Sequence, residues 1–248
     1  MRKWWWPIIY LSEWISYKLA DGLFFISEAE IEPAIKSFQL DEAKCFLLPY
    51  GTNKLNDEPE LTETVEEPSK ERRIIFFGPL SYQPNLEALN TILYQIEPTL
   101  RSLSSDISYK FIICGGGLPE GFTISKSPFV SYLGYVQDIE SMVRSSHIMI
   151  NPITTGGGVK TKVIESIAWG TSVLSSRSGA MGIDSESCGA KLIQVEDNDY
   201  VGYAKEILRL LQEPKQPTPA IFYKKYFWGN IVEQFMIDLQ SILTKNNL

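Results

Sequence analysis

NPITTGGGVKTKVIESIAWG, residues 151–170, decides the fold. It ends an apolar run, HIMINP (147–152), with three consecutive glycines and opens a second run in which Val159, Val163 and Ile167 share one side. An apolar strand that turns through glycine directly into an amphipathic helix is the strand-to-helix step of a parallel sheet. Gly156, Gly157 and Gly158 leave a backbone free to take positive φ and to approach a ligand closely. The helix that follows begins with unsatisfied N–H groups and a positive dipole end. That combination is an anion cradle. Lys160 and Lys162 add full charges in the first turns, where the dipole disfavours cations, so their placement predicts an anionic ligand rather than helix stability. Thr161 and Glu165 are four apart and Lys162 and Glu165 three apart, close enough for one polar cluster in which a carboxylate takes hydrogen bonds from sugar hydroxyls. The competing reading makes Lys162 and Glu165 a surface ion pair and the glycines a plain loop. The glycine, four residues, glycine-lysine spacing of nucleotide hydrolases is missing, which argues against simple ATPase chemistry.

The same alternation extends outward from this stretch. Strand RIIFFG (73–78), a helix over 85–100, strand KFIICG (110–115), a short strand near 130–133 and a helix over 138–145 precede it. Strand TSVLSS (171–176) and a helix over 199–211 follow it. Continuous apolar strands between amphipathic helices predict an α/β fold, a Rossmann-like parallel sheet with helices on both faces. Ligands of such sheets bind beyond the carboxyl ends of the strands. Upstream, Trp4, Ile8, Leu11, Ile15 and Leu19 recur at helical spacing and predict an amphipathic helix. A short buried strand over 22–26 comes next, then a second helix capped by Ser27 with Glu30, and CFLLPYGTN as another buried strand closing in a turn. The acidic, proline-bearing stretch NDEPELTETVEEPSKERR lacks an apolar period and is a linker. After PKQPTP (214–219) a helix restarts, with Phe227, Ile231, Phe235 and Leu239 on one face.

The chain has 248 residues, a formal net charge of -7 and 44% hydrophobic residues, a composition able to bury a core. The acidic balance, without a Lys/Arg cluster, argues against a general nucleic-acid binder. Cys45, Cys114 and Cys188 are odd in number and far apart, which suggests neither a disulfide framework nor a zinc site and fits a reducing cytoplasm. The aromatic opening MRKWWWPIIYLSEWISYKLADGLFFIS is interrupted by Pro7, Glu13, Lys18 and Asp21 short of a membrane span or a clean signal peptide. Asp197-Asn198-Asp199 matches an aspartate-any-aspartate metal pattern, but its place at the start of a helix favours capping. His147, the single histidine, has no second histidine to share a metal and favours a structural role. The WWW run favours packing, with lipid-interface anchoring as the minor option.

In order along the chain, FFGPLSYQPN, ICGGG, YLGYVQDI, NPITTGGGVKTKVIESIAWGTSVLSS and a final helix with an aromatic-tryptophan-glycine start resemble the donor-binding half of a GT-B glycosyltransferase, of the family-four, group-one kind. The resemblance covers about residues 73–240. It implies a nucleotide-sugar donor, with Gly78 near the donor sugar and phosphate, and Tyr135, Val136 and Gln137 near the base. Gly156, Gly157, Gly158, Val159, Lys160 and Thr161 then lie at the pyrophosphate and Glu165 on the ribose, with Lys160 or Lys162 stabilising the departing diphosphate. It implies transfer with retention at the anomeric carbon, no metal and no cofactor. Two stations depart from the family pattern. Gly157 stands where the first of two glutamates is common, and GPLSYQPN lacks the arginine and lysine often found there, leaving Lys160 or Lys162 to supply that charge.

The resemblance divides the chain into the end of an acceptor-side domain (1–55), a linker (56–72), the donor-binding domain (73–213) and a C-terminal crossover helix (214–248). Most of the acceptor half has no counterpart here, and no catalytic base can be named. A truncation, a split enzyme completed by a second polypeptide, and a nucleotide-sugar-binding remnant without transferase activity of its own all stay open. Apolar surface on the first and last helices predicts a second polypeptide, self-association or peripheral membrane contact, in a cytoplasmic protein that touches the inner face of the membrane at most.

Overall fold

A computed structural model describes residues 5–53, 71–103, 107–124 and 127–246. Residues 56–70 of the expected linker (56–72) lie outside the described residues, as does Trp4. The chain divides into two compact units, Met1–Gly51 with Lys224–Leu248, and Thr52–Tyr223.

The first unit opens with α1 (Trp6–Leu19), β1 (Leu23–Phe25), α2 (Glu28–Phe38) and β2 (Cys45–Leu47). Ser27 starts α2 by accepting the Ala29 N–H at 3.2 Å, the cap its sequence predicts. β1 and β2 pair in parallel as a two-stranded sheet. The expected amphipathicity of α1 is not realised, because no residue of that helix is buried. Tyr10 stacks on Phe38 and Tyr17 meets Phe38 edge-on, while Trp6, Ile8, Leu11, Ile15 and Leu19 all stay exposed. The two short strands are likewise less buried than expected. Of their six residues only Phe25 is buried, since two strands of three residues have too little sheet to be covered on both faces.

The second unit begins with β3 (Arg72–Phe77), α3 (Gln83–Thr91), a π-helical turn (Ile92–Ile96) and α4 (Glu97–Leu103). It continues through β4 (Tyr109–Cys114), β5 (Val130–Gly134), α5 (Ile139–Arg144), β6 (Ile148–Asn151) and α6 (Thr161–Ala168). β7 (Ser172–Ser176), α7 (Ser185–Cys188), β8 (Leu192–Val195) and α8 (Tyr200–Gln212) complete it. All six strands are parallel, in the order β5-β4-β3-β6-β7-β8. This is the doubly covered Rossmann-like sheet that the alternation predicts. Ile74, Phe76, Phe111, Ile113, Ile148 and Ile150 form one core with Leu89, Ile92 and Ile96 of the α3 run and Ile207 of α8. The alternate strand residues Ile75, Met149 and Val173 are buried too, as the period of two requires of a sheet covered on both faces, and α6 buries Val163 and Ile167.

The strand order places the crevice. From β3 the chain steps outward to β4 and β5, then crosses back to β6 on the other side of β3 and continues to β7 and β8. The reversal lies between β3 and β6, and there the connections leaving two neighbouring parallel strands diverge and open a cleft.

The tail forms α9 (Ala220–Tyr226) and α10 (Trp228–Asn246), broken at Phe227 where one continuous helix is expected. In α10, Ile231 is buried and Phe235 and Leu239 are half-buried, with Phe24 and Phe235 rings 5.0 Å apart.

Candidate functional site at the strand reversal

The loop after β6 and the loop after β3 meet at this crevice. Gly156 adopts φ +83°, and a Cβ there would stand 2.9 Å from the Tyr82 hydroxyl and 3.1 Å from Pro84 Cγ, so the backbone conformation and the close approach both call for glycine. Thr155 Oγ1 donates to Glu87 Oε2 of α3 at 2.7 Å, and Gln83 Nε2 donates to the other carboxylate oxygen at 2.9 Å. These bonds hold the Glu87 carboxyl below its ordinary range and pin the loop to α3.

Lys162, in the first turn of α6, runs to the end of β3. Its Nζ donates to the Phe77 carbonyl at 3.2 Å and to Asn85 Oδ1 at 2.9 Å, and it lies 4.3 Å from the centre of the Phe76 ring. Asn85 Nδ2 in turn donates to the Pro79 carbonyl at 2.9 Å, so this amide ties α6 to the turn after β3. A Cβ on Gly78 would stand 2.7 Å from Asn85 Nδ2, and glycine there lets the amide in. Among the described residues Lys162 has no carboxylate partner, so the surface ion pair with Glu165 of the competing reading does not form. Burial, aided by the charge of Lys160, pushes the Lys162 amine down to about 7. Lys160 precedes the helix rather than joining its first turn, and its Nζ donates to the carbonyls of Gly156, Gly157 and Gly158. Val159, Thr161 and Glu165 are half-buried on the same segment.

The other strand ends are joined to this crevice by backbone bonds. Gly78 N–H donates to the Cys114 carbonyl at 3.0 Å, Leu80 N–H to Gly116 at 2.8 Å, and Gly115 N–H to Gly134 at 2.7 Å. Tyr135 and Val136 therefore occupy the same end of the sheet, at its β5 edge, and Tyr135 is 80% exposed. Among the described residues no hydrogen bond links them to the glycine loop.

Beside the loop lies a polar layer. Asn151, fully buried at the end of β6, donates through Nδ2 to Ser175 Oγ at 3.0 Å and to the Gly179 carbonyl at 3.1 Å, and its backbone carbonyl accepts from the Tyr203 hydroxyl at 3.2 Å. Among the described residues Asn151 Oδ1 has no hydrogen-bond partner. Sequence reading missed Asn85 and Asn151. Asn85 had a visible signal, a polar side chain after Pro84 in the first turn of a helix that otherwise faces the core. Asn151 reads as the polar end of an apolar run, and nothing in the run points to its partners.

Three features singled out in the sequence lie elsewhere. Asp199 caps α8 by accepting the Gly202 N–H at 2.8 Å, and Asp197 accepts the Ser178 N–H at 3.0 Å. Among the described residues no group of His, Cys, Asp and Glu side chains could hold a metal ion. His147 sits before β6, at the opposite end of the sheet, where its Nδ1 accepts the Arg73 N–H at 3.1 Å. Burial, then the nearby Arg72, Lys215 and Arg73 charges, lower its pKa to about 4. Trp5 and Trp6 are exposed, and no helix among the described residues is long and apolar enough to cross a membrane.

Residues 71–213 match the protein-family model described as glycosyl transferases group 1. No curated protein matches the sequence. Among solved structures the chain is similar to Anabaena Alr3699/HepE in complex with UDP, at TM-score 0.69 and 14% identity over 91% of this chain and 65% of that one. It is similar to a glycosyltransferase from Rickettsia africae ESF-5 at TM-score 0.65 and 16% identity, covering 94% of this chain and 67% of that one. A third is an S. aureus TarM mutant in complex with Fondaparinux, alpha-GlcNAc-glycerol and UDP, at TM-score 0.67 and 14% identity over 90% of this chain and 44% of that one. Likeness at these identities establishes the fold. The chain spans 44% of the TarM structure and 67% of the Rickettsia one.

Proposed function

The chain belongs to the group 1 glycosyl transferases, and from that premise we propose that residues 73–213 hold the nucleotide diphosphate of a sugar donor at the β3–β6 crevice. The observation that carries this reading is Lys162, an amine drawn out of water at the strand reversal with carbonyl, amide and ring partners but, among the described residues, no carboxylate. A diphosphate supplies the missing counter-charge. Gly156 to Thr161 take the pyrophosphate, Glu165 the ribose, Gly78 the region of the donor sugar and phosphate, and Tyr135, Val136 and Gln137 the base. UDP is the first candidate, because the HepE and TarM structures contain it. In the reaction the bond from the anomeric carbon to the diphosphate oxygen breaks. An acceptor hydroxyl oxygen bonds to that carbon and passes its proton to the departing diphosphate, and the nucleoside diphosphate leaves with its remaining negative charge met by Lys162 and the loop amides rather than by a metal. Retention at the anomeric carbon belongs to this reading.

A second reading, that the chain binds a nucleotide sugar without transferring it unaided, is favoured by the first unit. Its sheet has two short strands, and Trp5, Trp6, Ile8, Ile9 and Leu11 of the α1 region and Val232, Met236 and Ile237 of α10 are exposed. A second polypeptide, a second copy or the cytoplasmic face of a membrane would cover that surface. Titration calorimetry with UDP, GDP, ADP and dTDP, without metal and then with magnesium, tests the donor site. Metal-independent binding of one of them supports it, and binding of none refutes it. Sugar transfer or donor hydrolysis by the chain alone separates the first reading from the second, and light scattering reports whether the apolar helices recruit a copy.

A further inference from the structure

Lys160 and Lys162 are two residues apart, yet their surroundings differ. Lys160 is only 9% exposed, and its Nζ donates to the carbonyl oxygens of Gly156, Gly157 and Gly158 at 3.0, 3.1 and 3.0 Å. An ammonium has three protons, so three carbonyls use its whole donor capacity. In a planar trans peptide the C=O of one residue and the N–H of the next point in opposite directions. Three successive carbonyls converging on one nitrogen therefore turn the N–H groups of Gly157, Gly158 and Val159 away from it, toward the far side of the loop. None of those N–H groups donates to another group among the described residues. Consecutive outward amides of this kind make a concave seat for an anion.

We infer that Lys160 is a positioning residue: it gathers the glycine carbonyls so that the amides of Gly157, Gly158 and Val159 face a phosphoryl group, while Lys162 is the cation that meets the charge. This divides between two lysines a task that the family resemblance leaves to either, and it rests on the donor-site reading. The charge of Lys160 acts on the loop, and the loop acts on the ligand. Without the ammonium, three carbonyl dipoles directed at one point repel each other and the loop opens.

The test uses the full chain labelled with 15N, titrated with inorganic pyrophosphate and, separately, with UDP, followed by 1H–15N spectra of the amides and the lysine Nζ groups. Either ligand should move the Gly157, Gly158 and Val159 amide resonances downfield while the Lys160 Nζ resonance stays in place. Lys160→Met should abolish the amide shifts and weaken pyrophosphate binding by about ten-fold or more, the scale of a lost hydrogen bond to a charged group. Lys162→Met should weaken binding but keep the amide shifts at saturation. UDP binding with the three amides unmoved, a Lys160 Nζ resonance displaced by phosphate, or wild-type affinity in Lys160→Met each overturns the inference alone. Pyrophosphate moving the amides while no nucleoside diphosphate binds more tightly keeps the inference and removes the nucleotide reading. Failure of both ligands to bind removes both. The wild-type spectra decide the matter even if Lys160→Met does not fold.

Discussion

Diphosphate binding should weaken as pH rises from 7 to 9, and Lys162→Met should remove that dependence. Burial and the neighbouring Lys160 charge bring the Lys162 amine from 10.5 to about 7. A group with so low a pKa is an ammonium below 7 and a neutral amine above it. A bound phosphate that needs the ammonium then sees an effective affinity set by the charged fraction. That fraction falls from about one half at pH 7 to about one hundredth at pH 9, about 50-fold in Kd or roughly 2.3 kcal/mol. The ligand does not share the titration, because the second ionisation of a phosphate lies near a pKa of about 6. At pH 8 binding should take up about 0.9 proton, the share of Lys162 that is neutral before the ligand arrives. Calorimetry with UDP in buffers of different ionisation enthalpy reads both quantities. A Kd that stays flat between pH 7 and 9, or a Lys162→Met protein that keeps the wild-type slope, would refute the reasoning.

Gly156→Ala should cost about 1–2 kcal/mol in urea unfolding, since alanine must hold a left-handed conformation and its Cβ would crowd Tyr82 and Pro84; an unchanged midpoint would show that the loop adapts. The His147 pKa of about 4 means that the folded protein keeps this ring neutral where the unfolded chain, near 6.5, takes a proton, so stability is complete above about pH 6.5 and falls toward pH 4. Discounted for partial exposure, that loss is roughly 1–2 kcal/mol, and His147→Gln should flatten this part of the acid limb of the stability curve. Tyr203→Phe removes the hydroxyl that donates to the buried Asn151 carbonyl and should lower stability by about 1 kcal/mol, measured by denaturant unfolding; a neutral result would mean that water replaces the bond.

The strands and helices of the second unit were legible because their signals are local. RIIFFG, KFIICG and HIMINP are apolar on both alternate sets of residues, and such runs between helices of period 3.6 fit one architecture, a parallel sheet covered twice. The helix starts at Ser27 and Asp199 were legible for the same reason, since a cap is a contact between residues two or three apart. Periodicity misled where the expected partner surface was missing. The spacing of Ile8, Leu11, Ile15 and Leu19 describes a helix correctly, but spacing says only which residues share a side, and that side of α1 meets no core within the described residues.

The sequence by itself determined that a glycine loop carries an apolar strand into a helix with two lysines beside it, because glycine, apolar period and charge are written within some ten consecutive positions. Only the tertiary structure decided what each lysine does. Lys160 turns back onto its own loop, and Lys162 crosses to Phe77 and Asn85, 85 and 77 residues away in the chain. The reason is that a lysine's place is set by which acceptors lie within the reach of its long side chain. The acceptors of Lys162 come together only when β3 and β6 lie side by side, where the strand order reverses.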